Sequence, residues 1–296
     1  MRGRIVVCGN LVQDIVVRPV AEPLAWDATV TVEQIVQGLG GNGGTTSFTL
    51  GRLGVPVTLM SLAGRDTVCE QLLERLRSAG IQTQVECGEL PTSVSVSLVD
   101  ERGRRALLYQ LGASAGEFRR PVVFPEDAGH FHLNAVFRMQ DLRTLGPELL
   151  QQAKARGLAT SVDAQWDHLG EWMTVLRPAL RWTDLLFVNE DEAWHLTGLR
   201  DASAAAGALR EAGASEVVVK LGARGCFAST AEGEFWCEAA RAEVVDTTGA
   251  GDVFVGGYLA ALHRGLGHRE AAALGNRVAG QSVASLGSTT WLDACS

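Results

Sequence analysis

The chain has 296 residues, 46% of them apolar and 20% charged, which is enough for one large core and leaves no polar excess that would favour disorder. A net charge of −8 with no Lys/Arg cluster excludes nucleic acid and an anionic membrane surface as the main partner. No stretch reaches the ~18 apolar residues of a membrane span, and the apolar run before Asn10 is too short for a signal peptide, so a cytoplasmic protein is expected. The cysteines at 8, 69, 87, 226, 237 and 295 show neither CxxC nor Cys/His metal spacing and read as thiols of a reducing compartment.

In chain order, Ile5–Cys8 is a short β-branched run ending at Gly9 and reads as a buried strand. Residues 15–20 and 29–36 alternate apolar and polar, as half-exposed strands do. A glycine-rich stretch (38–44) leads into a helix to about Leu53, then a strand over Val57–Leu62 and a helix over 66–79 that stops at Gly80. Residues 92–99 alternate strictly, and after the turn signal at 100–103 a second strand covers 106–111; the spacing predicts a hairpin with one dry and one wet face. From 130 the rhythm becomes strand, helix, strand, helix: 131–133, 141–156, 158–162, 171–180, 185–188, 190–196, 202–212, 217–221, then helices near 250–264 and 269–285. Alternating units with continuous apolar strands imply a parallel sheet covered on both faces. The expectation is a single α/β domain over 1–296, with β segments at about 12–37 and 92–111 left over as a small lid.

The segment Val244–Phe254 carries the most chemistry. A short apolar run meets Gly249, Ala250 and Gly251, which have almost no side chain, and a helix follows. At a helix start their free amides can converge on one anion, which the dipole also favours. Asp252 then falls in the first turn, beside that anion. Like charges repel, so this placement suits plain binding poorly. It suits a neutral hydroxyl lying between Asp252 and a phosphoryl group, with Asp252 taking the proton and the amides holding the transferring charge. The same residues also read as an ordinary helix start capped by Asp246 or Thr248.

Asp246-Thr247-Thr248-Gly249-Ala250-Gly251-Asp252, between a strand and a long helix, closely resembles the signature of the ribokinase (PfkB-type) family of carbohydrate kinases. The resemblance spans nearly the whole chain and implies a ribokinase-like α/β fold with a β-sheet lid, ATP and Mg²⁺ as cofactors, and a sugar as substrate. It implies that Asn10, Asp14, Gly40, Gly41 and Asn42 hold sugar hydroxyls, with Arg105 and Asp163 as further substrate contacts. It puts Lys220, Gly222, Gly225, Thr247 and Asn276 at the nucleotide. Asn189 and Glu192 match the family's Asn-x-x-Glu pattern and would serve Mg²⁺ through water. Asp246 and Thr248 would stand near a monovalent cation such as K⁺. Each of these polar residues also has a plainer reading as a cap, turn or solvated side chain.

Two departures from the family pattern bear on substrate. Gln165 and Asp167 stand where relatives acting on acidic keto-sugars carry Asn and Arg, which speaks against an acidic substrate. Asn134 stands where ribokinase has a Glu near the metal. Other motif matches fail on context. Gly38-x-Gly40-x-x-Gly43 follows an alternating strand, whereas a dinucleotide fold needs a buried one. Gly112–Gly116 satisfies GxSxG, but Pro121 opposes the helix that motif needs. His130 and His132 share a strand face, an arrangement commoner in packing than in metal sites. The expected activity is transfer of the γ-phosphoryl of ATP to a primary alcohol. The alternatives are a nucleoside kinase or a catalytically silent sugar- or nucleotide-binding regulator. Pairing of two copies through the alternating lid strands is a further expectation.

Overall fold

The computed structural model describes residues 3–21, 24, 26–102 and 104–292. Gly103 of the turn signal and Cys295 lie outside them.

The large sheet has nine strands in the order β13-β12-β11-β10-β9-β8-β1-β4-β5. Its parallel part consists of β1 (Arg4–Cys8), β4 (Val57–Gly64), β5 (Gln82–Gly88), β8 (Ala128–Leu133), β9 (Ala159–Asp163), β10 (Leu185–Asn189) and β11 (Glu216–Lys220). From β1 the chain winds outward to β4 and β5 on one side and to β8 through β11 on the other, so β1 lies at the switch in winding direction. Open α/β sheets bind ligands at such a point, outside the carboxyl ends of the strands. The edge is an antiparallel hairpin, β12 (Cys226–Thr230) and β13 (Gly233–Cys237). Neither of these nor β5 is anticipated from the sequence, because β5 and β13 are partly exposed edge segments without a clean period.

Both faces of this sheet are covered. On one, α3 (Leu142–Ala155), α4 (Met173–Leu180), α5 (Glu190–Thr197) and α6 (Ala202–Glu211) pack over Phe131, Val162 and Leu186. On the other, α1 (Asn42–Arg52), α2 (Thr67–Ser78), α7 (Ala250–His263) and α8 (His268–Ser282) pack over Val7, Leu59 and Phe187. Burial on both sides is why these strands read as continuous apolar runs.

A separate four-stranded sheet has the order β3-β2-β6-β7, formed by β2 (Val12–Arg18), β3 (Gln34–Gly40), β6 (Ser93–Val99) and β7 (Arg105–Gln110). The alternation places strands at 15–20 and 29–36; the ladders instead pair 12–18 with 34–40, so Gly38 and Gly40 end a strand. The hairpin's faces are also reversed from the ordinary expectation. Ser93, Ser95 and Ser97 are buried, while Val94, Val96 and Leu98 are partly exposed. Register puts Asp14, Ser95 and Tyr109 on one face, and Ile15, Val96 and Leu108 on the other. The polar face is turned inward because it walls a cavity.

Candidate active site

The centre of the site is the start of α7. Gly249 caps it in the left-handed region (φ 69°), and a Cβ there would stand 2.4 Å from Cβ of Ser288. Conformation and space therefore both require glycine. Gly249 turns the chain so that the amides of Gly251 and Asp252, which lack intrahelical acceptors, open the helix. Asp246 fixes the approach. Its Oδ1 accepts from the Thr248 amide (2.9 Å) and hydroxyl (2.7 Å), and its Oδ2 accepts from the amide of Gly287 (2.9 Å).

Asp252 is 6% exposed. Asn42, the first residue of α1, donates Nδ2 to both of its carboxylate oxygens (2.9 and 3.1 Å). Asn42 is held in turn: its amide donates to Asn10 Oδ1 (2.9 Å). The start of α1 reaches this point because Gly43 packs directly on Gly9, where a Cβ would meet backbone at 2.7 Å. Burial pushes the Asp252 carboxyl up to about 7, with the charge of Asp163 adding to it and the Asn42 hydrogen bonds opposing it. A carboxyl poised near neutrality is suited to accept a proton.

Behind the loop lies one cation among several carboxylates. Lys220, at the end of β11, donates to Asp163 Oδ1 at 2.6 Å, and a Cβ on Gly251 would lie 3.4 Å from its Nζ. Asp163, Glu192 and Asp252 together outweigh the burial that disfavours the ammonium, so Lys220 stays charged. Glu192 is pushed up to about 7, first by burial and then by Asp163, with Lys220 opposing.

Two cavities meet at the loop. The larger, about 580 Å³, is lined by Lys220, Gly222, Gly225, Thr247, Ala250 and Gly251 at one end. Its remainder is an apolar slot that includes Ala240, Val244, Phe254 and Val283. Asn276 lines it too and donates Nδ2 to the carbonyls of Cys237 (3.0 Å) and Glu238 (3.1 Å). The smaller, about 220 Å³, lies between the large sheet and the polar face of the small one. Asn10, Asp14, Gly41, Asn42, Arg105 and Asp252 line it. Gly40 stands behind Asp14, whose Oδ2 occupies the place a Gly40 Cβ would take (2.0 Å). Burial, then the charges of Asp252 and Asp246, push Asp14 up to about 7. Arg105 reaches from β7 to Thr248 Oγ1 (3.1 Å).

Several expected residues have other employment. Asp163 is corrected: it is 1% exposed, lines neither cavity and is bound to Lys220, so it acts on the loop's electrostatics and has no direct reach to the substrate cavity. Asn189 and Glu192 form a capping box for α5, Asn189 Oδ1 accepting from the Glu192 amide (2.8 Å) and Glu192 Oε2 from the Asn189 amide (2.8 Å). Among the described residues no group of three or more His, Cys, Asp or Glu could hold a metal. Asp167, in place of the Arg of relatives acting on acidic keto-sugars, binds Arg143 and caps the turn before α4. His130 and His132 both contact Ser161 Oγ (2.7 Å each) and are buried neutral, burial lowering His130 to about 3.

Asn134 and Gln165, set apart in the sequence as departures from the family pattern, stand past strand ends beside residues that the sequence does not signal. Asn134, after β8, donates to Thr46 Oγ1 (3.1 Å) and accepts from Gln165 Nε2. Ala135 (φ 61°) and Gln165 (φ 63°), both just past strand ends here, hold left-handed backbone, strain that clusters at functional sites. Tyr109 accepts from Asn10 Nδ2 (3.1 Å) and lines the smaller cavity with Ser95 and Thr45. Ser288 supports Gly249 from a segment without a motif. No local signal marks Tyr109 or Ser288, because each depends on a long-range contact.

A mostly parallel sheet with two cavities at its carboxyl edge, parted by a helix start with free amides, is the framework of an α/β enzyme. The chain belongs to the pfkB family of carbohydrate kinases, whose profile matches residues 3–295. It is therefore a phosphotransferase with an alcohol group as acceptor. The 2-dehydro-3-deoxygluconokinase of Bacillus subtilis is 25% identical over 267 residues, covering 85% of this chain and 82% of that one. The ribokinase of Staphylococcus aureus is 26% identical over 286 residues, covering 89% and 88%. The structure of Arabidopsis thaliana ribokinase complexed with ribose and ATP superposes with a TM-score of 0.79 at 22% identity, covering 97% of this chain and 94% of that one.

Proposed function

We propose that this protein transfers the γ-phosphoryl group of ATP to a primary alcohol of a sugar or sugar-like molecule, with Asp252 as general base. One observation carries the reading: residues 247–252 form the wall between the two cavities. Thr247, Ala250 and Gly251 line the larger, and Thr248, Gly249 and Asp252 the smaller. A nucleotide in the larger cavity rests its base in the apolar slot and its phosphates against the free amides at the start of α7. A sugar in the smaller cavity presents a hydroxyl to Asp252. Its oxygen attacks the γ-phosphorus, its proton goes to Asp252, and ADP leaves.

Mg²⁺ bound with the phosphates would neutralise their charge, and Glu192 and Asn189, engaged with each other in the α5 capping box, would reach it only through water. The bonds that Asp246 receives order the 246–248 turn, beside which a monovalent cation would lie. The small sheet acts as a lid over the sugar, with Arg105 bridging it to the loop, and keeps water from competing for the phosphoryl group. Its apolar outer face, with Ile15, Ile35, Val96 and Leu108, is where a second copy would pack. A monomer by light scattering at micromolar concentration overturns that pairing.

The activity is tested by ATP consumption across pentoses, hexoses, sugar acids and nucleosides, with wild type and Asp252→Asn. Turnover should fall about 10²–10⁴-fold in the variant. Near wild-type turnover with the true substrate sinks the role given to Asp252.

A further inference from the structure

The smaller cavity does not end at the sugar-sized space beside Asp252. Arg138, in the segment between β8 and α3, lines both that cavity and a third one of about 710 Å³. The third cavity is also walled by Ser114, Thr144, His168 and Leu169, so Arg138 stands where the two spaces meet.

The side chain of Arg138 is half-buried. Its guanidinium lies over the Tyr109 ring, 4.7 Å from the centroid, and Tyr109 is itself bound to Asn10 in the sugar-sized cavity. Among the described residues it makes no ion pair and its side chain donates no hydrogen bond. The neighbouring arginines are engaged: Arg143 binds Asp167 and Glu171, and Arg105 binds Thr248. The nearby carboxylates are also committed or remote. Asp141 Oδ2 accepts from the Phe118 amide, Glu171 is held by Arg143, and Glu117 is exposed at the rim. A partly desolvated guanidinium, pre-oriented on an aromatic ring with five donors and no anion, is an unfilled half of an ion pair. The cation–π contact offsets only part of its lost hydration.

We infer that the acceptor carries a terminal anion, a carboxylate or a phosphate ester, which Arg138 receives while the hydroxyl to be phosphorylated lies against Asp252. The inference rests on the kinase reading and narrows its substrate class to anionic sugar derivatives. It also answers the absence of arginine at 167, since the cation arrives from the end of a different strand. The third cavity leaves room for the anion and its hydration, or for a longer substituent.

The test compares three sets of acceptors by ATP consumption: aldonic and keto-deoxy-aldonic acids, sugar monophosphates, and neutral sugars of the same length. Wild type, Arg138→Met and Arg138→Lys are assayed on each. An anionic acceptor should exceed its neutral counterpart in kcat/KM by about 10–100-fold, the value of a charge-assisted hydrogen bond pair. Arg138→Met should erase that ratio through KM for the anionic acceptor, and Arg138→Lys should restore part of it. The acid and phosphate arms identify the anion. A neutral sugar turned over as well as any anion, or an unchanged ratio in Arg138→Met, overturns the inference. If no acceptor is phosphorylated, the kinase reading fails by itself. The anion site is then decided by thermal shift with D-gluconate and with ribose 5-phosphate. Stabilisation of wild type by either anion, lost in Arg138→Met, supports it; no difference between the two proteins refutes it. Unchanged unfolding of ligand-free Arg138→Met shows that the variant folds.

Discussion

The two walls of the site are built on opposite plans. The side proposed for the nucleotide is largely backbone: the free amides at the start of α7, the glycines at 222 and 225, and an apolar slot. The substrate side is made of side chains from separate elements, Asn10 beyond β1, Asp14 on β2, Asn42 on α1, Tyr109 on β7 and Arg138 beyond β8. A backbone wall binds what every reaction of the type shares, the phosphates. A side-chain wall can change one residue at a time and so change the acceptor. The comparison teaches that variants on the first wall should damage stability and phosphoryl chemistry, while those on the second should redirect affinity.

The sharpest way to break the first wall is Lys220→Met. It removes the cation among Asp163, Glu192 and Asp252, leaving the buried Asp163 without its partner and the other two without a neighbouring charge. The expected loss is about 3–5 kcal/mol of stability, read by urea unfolding, together with turnover. A stable, active Lys220→Met protein would show that the lysine is merely a strand-end charge. The next effect needs no mutation. Since the Asp252 carboxyl lies at about 7, it is protonated and idle below that pH. The value of kcat/KM should rise with pH and level off above 7, falling about tenfold per unit below it. A flat profile between pH 5 and 8 refutes a titrating base at this position.

Gly249→Ala tests the backbone plan itself. The φ of 69° and the contact with Ser288 predict a loss of about 1–3 kcal/mol and a lower kcat, measured by thermal unfolding and steady-state kinetics.

The same division explains how much was legible in the sequence. Asp246–Asp252 reads as a helix start because its chemistry is local: small residues, a turn and two carboxylates within seven positions. The parallel strands read well because burial on both faces leaves an unbroken apolar run. The small sheet misleads because alternation reveals two faces without saying which is inside. Apolar Val94, Val96 and Leu98 look like a core face, yet the serines between them turn inward to line a polar cavity. Asp163 misleads for a related reason. Its strand-end position suggests the substrate, and only the long-range approach of Lys220, 57 positions away, shows where its charge is spent. Arg138 and Tyr109 carry no signal at all, since their meaning is a contact between separate elements.

The smallest effect is expected where the nucleotide wall does use a side chain. Asn276 lies on α8 and joins it to residues 237–238 by two hydrogen bonds, across the mouth of the apolar slot. Those carbonyls directly precede Ala239 and Ala240, which line the slot, so the bonds hold one of its walls to α8 without touching the transferring group. Asn276→Ala leaves two carbonyls unpaired but near enough to the open cavity for water to reach them. The loss should therefore stay near the net value of a hydrogen bond, about 1 kcal/mol, or roughly fivefold in KM for ATP. The value of kcat and the acceptor KM should hold, because neither Asp252 nor the sugar cavity contacts this residue. A fall in kcat larger than the rise in KM would mean that the two walls are mechanically coupled through α8 and α7, and that the division between a shared backbone wall and a variable side-chain wall is too simple.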